Sequence, residues 1–132
     1  MTILDKGWEK TQIKVFSRWC AKHLQTKGIK FESVLTEFYD GVKLINLLEI
    51  IGKEPLTTKW HKEPKNRYQQ IENVSQAINY ITKTKGIKLI GIGPEDIVDK
   101  NTKLTLGLTW SCINKFAIED ISVEEATARA AL

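Results

Sequence analysis

The sequence predicts a single all-α domain, and three observations support this fold class. Its 132 residues, 42% of them hydrophobic, are enough for one compact core and do not require a second. Apolar residues recur at helical spacing in several segments, each bounded by a capping residue or a glycine. One run, from Ile87 to Gly93, alternates weakly, but no other run could pair with it as a strand. We therefore expect it to be a buried connector.

The first two long helices are predicted in the first half of the chain. Apolar and aromatic residues recur at helical spacing from Trp8 to Leu24, and Gly28 follows as a stop. The next helix begins after an aspartate cap, Asp40, and ends at Gly52. It has too few polar positions for a surface helix, so it should be mostly buried.

A third helix and a short helical turn follow. Asn66 and Gln69 are predicted to form a capping box at the start of the third helix, which ends at Gly86. Pro94 can begin a short turn through Val98. Four apolar residues at spacings of three and four place one face of the third helix in the core: Ile71, Val74, Ile78 and Ile81.

The last core helix is predicted over residues 102–116, with Asn101 as its cap. Its apolar residues lie around most of the circumference, which is typical of a central helix. An acidic connector follows, and Ser122 with Glu125 matches a capping box for a separate helix over residues 126–132.

The distribution of charge suggests a boundary near Ala117. Residues 1–116 sum to +7 and residues 117–132 to −3. The sequence therefore predicts one domain over residues 1–117. Residues 118–132 are interpreted as a linker helix that leads toward a further domain.

Composition limits the class of partner and the cellular compartment. The chain has 20 Lys and Arg residues against 16 Asp and Glu, and the excess lies in residues 1–66. This mild basicity suits an acidic partner better than a polyanion. Two cysteines outside any disulfide-rich spacing indicate a reducing compartment. Because no apolar stretch fits a signal peptide or a membrane span, we expect a cytoplasmic protein without membrane insertion.

Catalytic and metal-binding patterns are weak. Cys20 and His23 lie one helical turn apart, but a closed zinc site needs four ligands and Cys112 is the other thiol. Neither cysteine has an oriented base and a third group, as a nucleophile requires. Gly91 and Gly93 form only half of a dinucleotide fingerprint, with no strand before them. The acidic pairs at 95–96 and 119–120 lie beside no histidine. We expect no enzyme activity, cofactor or metal.

Two basic clusters are the clearest positive signals. Like charges four residues apart cost an isolated helix about 0.2–0.5 kcal/mol per pair, so a row of them is unusual unless it meets a partner. A solvated face remains an equal alternative. The first helix carries such a row: Lys6, Lys10, Lys14, Arg18 and Lys22. A second cluster surrounds Trp60 and His61 and consists of Lys59, Lys62, Lys65 and Arg67. This loop could simply be solvated. As a remote alternative, a nucleic acid could stack its bases on the aromatic ring.

Five segments in order along the chain resemble the calponin-homology domain family. The likeness is closest to the first domain of the tandem actin-binding regions in α-actinin, filamin and spectrin-type cross-linkers. The 98–110 string is the most specific of the five. The segments are Trp8 to Leu24, Asp40-Gly41-Val42-x-Leu44-Ile45-x-Leu47-Leu48-Glu49, Glu72-Asn73-Val74, Gly86-Ile87-Lys88-Leu89, and Ile97-Val98-Asp99-x-Asn101-x-Lys103-Leu104-x-Leu106-Gly107-Leu108-x-Trp110.

The resemblance implies a compact bundle of about four main helices that binds filamentous actin as the N-terminal module of a cross-linker, at the actin cytoskeleton. It also implies a second calponin-homology domain in the parent chain and leaves a phosphoinositide contact open. A microtubule-binding or signalling type is the alternative. The implied first contact segment comprises Gln12, Lys14, Arg18 and Lys22, and the second comprises Lys103, Leu104, Leu106, Gly107 and Trp110.

Two positions depart from the pattern of many relatives. Ala21 stands where many carry asparagine, which removes a polar contact. Lys100 stands where many carry glycine, and it adds a positive charge that an acidic partner could use. Lys100 is therefore included among the expected actin contacts.

Overall fold

A computed structural model describes residues 6–130, with side chains described over residues 8–117. Four longer α-helices and two short ones follow one another, and the described residues contain no strand. A 3-10 turn at Gln25–Lys27 follows the first of them, and a π-helical turn at Tyr80–Thr84 extends the fourth. The all-α prediction is therefore confirmed. The helices are α1 (Lys6–Leu24), α2 (Val34–Glu37), α3 (Val42–Gly52), α4 (Arg67–Asn79), α5 (Pro94–Val98) and α6 (Thr102–Ala130).

The core lies where the long helices meet. Helix α1 packs against α3 and α6, α3 packs against α4, and α5 lies on α4. Helix α3 has six of its eleven residues buried and none exposed, as its apolar sequence predicts. The largest fully buried side chains come from several elements, among them Leu24, Phe38, Leu44, Leu47, Ile81, Ile97 and Leu108.

The helix starts follow local hydrogen bonding, with two differences from prediction. Gly41, at φ 80°, takes the N-cap position of α3, while the Asp40 carboxylate accepts from the Val42 backbone N–H at 3.0 Å. Asn66 caps α4 by accepting from Gln69 N–H, as predicted. The reciprocal bond is absent, since the Gln69 amide oxygen accepts from Lys65 N–H instead.

The predicted buried connector is only partly buried. Ile87 is inside, but Ile90 is 78% exposed, so the interpretation of residues 87–93 as a buried segment is wrong. Two glycines let the chain turn outward at positive φ, Gly86 at 68° and Gly91 at 71°. The short helix Pro94–Val98 that follows is as predicted.

Helix α6 is longer than predicted. Asn101 caps it by accepting from Leu104 N–H at 3.0 Å, but the helix continues without a break to Ala130. The predictions of a connector after residue 116 and of a new helix start at Ser122 are therefore wrong, because the backbone is helical throughout this segment. Neither glycine nor proline interrupts residues 117–130, and glutamate and alanine favour helix there. The side chains of residues 118–132 lie outside those described, and the division into domain and linker stays a prediction.

Candidate functional site

One exposed stripe of α6 carries three of the residues expected from the resemblance. With a turn of about 100° per residue, positions 103, 107 and 110 fall within about 60° of one another on the helix surface. Lys103 and Trp110 are exposed and Gly107 is partly so. A side chain at Gly107 would approach only Ile92, at 3.6 Å. The missing side chain therefore leaves the helix backbone open to a close approach from outside.

Trp110 connects this stripe to the first helix. Its ring stacks on that of Phe16, with centroids 6.1 Å apart and the planes inclined by 16°. Phe16 is buried, whereas Trp110 is 53% exposed. One face of the indole thus lies on the core while much of the ring is open to solvent. A large aromatic held in this way is a typical anchor of a protein interface.

The flank of α1 beside Trp110 is also partly apolar. Trp8 and Val15 are 46% and 54% exposed, and Gln12 is half-buried between them in the sequence. At about 100° per residue, positions 8, 12 and 15 fall within about 60° of one another. The sequence reasoning selected Gln12 but did not select Trp8 or Val15. Their spacing of four and three around Gln12 was the available signal.

Leu106 is a correction to the expected contact set. It is 5% exposed and belongs to the core, so its side chain is not available to a partner at this surface. Leu104 is half-buried at the edge of the exposed stripe. Both Leu106 and Leu108 therefore belong to the core and do not contact a partner.

Lys100 lies just before α6 and is exposed. Its backbone has φ 60°, a conformation that most side chains avoid, which explains why glycine also suits the position. Its ammonium lies 4.9 Å from the centre of the Tyr39 ring. The added charge is thus held over an aromatic face instead of extending freely into solvent.

The basic row of α1 does not form one surface. Each step of four residues advances about 40° around the helix, so the row turns by about 120° from Lys10 to Lys22. Lys14 and Arg18 line a groove between α1 and residues 31–33, together with Lys10. Lys22 is exposed farther round, nearer the flank of Val15. The structure therefore separates Lys14 from Gln12 and Trp110.

The second basic cluster is largely neutralised or stacked. Arg67 forms two bonds to the Asp99 carboxylate, at 2.8 and 2.9 Å. The Lys62 ammonium lies 4.5 Å from the centre of the Trp60 ring, and Trp60 is partly buried against the core. With the indole face already covered by a cation, base stacking at Trp60 has little support.

The cysteine and histidine of the first helix point to different environments. Burial raises the pKa of Cys20, with a smaller contribution from neighbouring Cys112, and burial raises the pKa of Cys112 to about 12. His23 instead packs edge-on against Trp19, with ring centroids 4.6 Å apart. Over the described range, no three acidic, histidine or cysteine residues cluster as metal ligands would. Nor does any helix in that range have the length and apolar character to cross a membrane.

Comparison with known proteins places these features in a family. The sequence model of the calponin homology (CH) domain matches residues 10–118. The chain is 48% identical over 130 residues to Alpha-actinin A of Dictyostelium discoideum. It is 46% identical over the same length to Alpha-actinin-1 of Homo sapiens and to Alpha-actinin of Dermatophagoides farinae. Each match covers 98% of this chain but only 14–15% of the relative. The chain is similar to α-actinins over its length, and it belongs to the calponin homology domain family.

Proposed function

We propose that this domain binds filamentous actin without enzymatic activity, as the N-terminal module of an actin cross-linking protein. The similarity to α-actinins supports the class of partner. The observation that carries the proposal is the half-exposed Trp110, stacked on Phe16 beside the open backbone at Gly107. In the parent chain we place a second CH domain after residue 132, and the protein acts at the cytoplasmic actin cytoskeleton.

The proposed actin surface comprises the α6 stripe and the neighbouring flank of α1. Trp110 supplies an apolar anchor, Gly107 permits close approach, and Gln12 offers a polar contact. Lys103, Lys100 and Lys22 provide positive charge around these groups for an acidic partner. Leu104 contributes at the edge, whereas Leu106 supports the surface from inside.

Co-sedimentation with filamentous actin tests the proposal. The substitution Trp110→Ala removes the anchor and should weaken binding by about tenfold or more, because interface tryptophans are frequent hot spots. Tyr68→Ala is the matched control, since Tyr68 is a 69% exposed aromatic on α4 that lies outside the proposed surface. It should bind as the unmodified domain does. Circular dichroism verifies that both variants are folded.

Two results would contradict the proposal. The first is that the folded domain stays in the supernatant at actin concentrations of hundreds of micromolar. The second is equal loss of binding in the two aromatic variants. A parallel sedimentation with microtubules tests the alternative partner, and binding there without binding to actin would replace the proposal.

A further inference from the structure

A groove on the far flank of α1 has the features of a separate peptide site. It has a volume of about 420 Å³, within the range of ligand-binding clefts. One wall is α1 and the other is the extended segment before α2. Apolar side chains from both walls line it: Ile13, Ala21 and Phe31.

The rim of the groove is basic. Lys10, Lys14 and Arg18 line it from α1, and Glu32 is the one carboxylate among the lining residues. None of the three cations forms an ion pair within the described part of the chain. The groove thus combines unpaired positive charge with an apolar lining. This combination fits an acidic partner that also carries an apolar side chain.

The two serines of the groove already take part in local hydrogen bonds. The hydroxyl of Ser17 accepts from Val34 N–H at 3.0 Å, and that of Ser33 accepts from Leu35 N–H at 3.2 Å. The backbone N–H of Ser33 donates to Glu37. Accepting one bond leaves each hydroxyl its O–H donor, which suits an acidic ligand. The rim charges and the apolar lining supply the other contacts.

The spacing of the rim charges selects an extended peptide. Cations four residues apart on a helix rise by about 6 Å per step. Alternate side chains of an extended chain are about 6.7 Å apart and point the same way, while the intervening ones point opposite. In a segment that alternates acidic and apolar residues, the acidic side chains can thus pair with the basic rim. The apolar side chains can fill the groove. Its charges also offset the repulsion within the row.

From this geometry we infer that the groove between α1 and residues 31–33 binds an extended acidic peptide with alternating apolar residues, at a site distinct from the proposed actin surface. The centres of the two sites lie on different faces of α1, since Gln12 and Lys14 are separated by about 160° around the helix. The sites come nearest at Arg18 and Lys22, which are about 40° apart. Lys14 and Arg18, which the sequence grouped with Gln12, accordingly belong to the groove.

A fluorescent pentapeptide, Glu-Leu-Glu-Leu-Glu, is the probe, and its polarisation is measured with the unmodified domain. The charge reversal Lys14→Glu with Arg18→Glu should weaken probe binding by about tenfold, because two attractive pairs become repulsive. Lys22→Glu with Lys103→Glu is the matched control, since both residues are exposed and outside the groove. It should change probe binding by less than about twofold at physiological salt.

Actin sedimentation of the same variants should rank the two pairs of substitutions in the opposite order of effect. The control pair should weaken actin binding more than the groove pair does, because Lys22 and Lys103 border the proposed actin surface. If no variant and no unmodified domain sediments with actin while the peptide results stand, the proposed function fails and the groove site survives. If both pairs reduce probe binding equally, the groove assignment is overturned.

Two further probes test the chemistry of recognition. Replacing both leucines by serine should abolish measurable binding, and undiminished binding would show that general charge attraction, not the apolar lining, holds the peptide. Amide chemical shifts of Ala21 and Phe31 should move on addition of the probe, whereas that of Gly107 should not. Anionic lipid vesicles provide the last comparison: binding to them that depends on Lys14 and Arg18, without binding of the peptide, would overturn the inference in favour of a membrane surface.

Discussion

The side-chain amide of Asn73 pairs with both backbone polar groups of His61. Its oxygen accepts from His61 N–H at 2.8 Å, and its nitrogen donates to His61 C=O at 2.8 Å. The same nitrogen donates to Asp40 C=O at 3.0 Å. A fully buried residue of α4 thus fixes the long segment before α4 and the turn before α3.

Removing this amide should destabilise the domain strongly. We expect Asn73→Ala to lower the free energy of unfolding by about 2–4 kcal/mol, because three hydrogen bonds are lost and buried backbone groups stay unpaired. Chemical denaturation measures this change. Asn79→Ala, at an exposed position of the same helix, should cost no more than about 0.5 kcal/mol. Equal losses in the two variants would contradict the role assigned to Asn73.

The close approach of Gly41 to α4 gives a second prediction. A side chain at Gly41 would meet the Asn73 Cβ at 2.5 Å, and the φ of 80° is also unfavourable for other residues. Gly28 has a similar φ of 69° but open space around it. Gly28→Ala should therefore cost about 1–2 kcal/mol for conformation alone. Gly41→Ala should cost about 1–3 kcal/mol more because of the collision. Comparable melting temperatures in the two variants would disprove this explanation.

The two buried thiols should be unreactive in the folded domain. Cys20 and Cys112 are 0% and 2% exposed, and burial raises the pKa of both. Since the thiolate is the nucleophile, a disulfide reagent near pH 8 should react roughly a hundredfold more slowly than in guanidinium chloride. Absorbance of the released thiol follows the reaction. Rapid labelling of one native thiol would instead indicate an accessible, reactive cysteine.

Glu37 should make stability depend on pH in the acidic range. Burial opposes its ionisation, but hydrogen bonds from the Lys43 ammonium and from Ser33 and Glu32 N–H outweigh it and hold its pKa below the usual value. The stabilisation is therefore complete above the unfolded pKa of about 4.3 and is lost as the pH falls through the folded pKa.

Denaturation of Glu37→Gln from neutral pH to pH 3 tests this dependence. The difference in unfolding free energy from the unmodified domain should be constant above about pH 5 and narrow below it. Glu63→Gln, at a side chain that is 85% exposed, is the control and should differ little at any pH. A difference for Glu37→Gln that stays constant down to pH 3 would exclude the proposed linkage.

Binding to actin should weaken as salt increases. The exposed lysines around the proposed surface attract an acidic partner over a range of about 8 Å at physiological ionic strength. We expect affinity to fall by about threefold or more from low to high salt in co-sedimentation. Trp110 provides an apolar contribution that salt does not screen, so some binding should persist. An unchanged affinity would rule out an electrostatic component.

The sequence by itself determined the four longer helices and the caps of two of them, but it predicted no helix at α2 (Val34–Glu37). Apolar residues at spacings of three and four marked the buried faces, and Asn66 and Asn101 capped the helices that they precede. These features depend on residues close in the chain, so local physical rules are sufficient to find them. The same local rules placed a break after Ala117, where the continuous helix shows that no strong stop signal exists.

Only the tertiary structure decided which of the selected residues share a surface. Helical spacing placed Leu106 and Trp110 on the same helix. Packing against the other helices buried Leu106 but left about half of Trp110 exposed. In the same way, the basic row of α1 was clear in the sequence, whereas the groove beside Lys14 and Arg18 depends on where residues 31–33 lie against α1. A side chain's exposure is set by contacts between distant segments, which no local pattern contains.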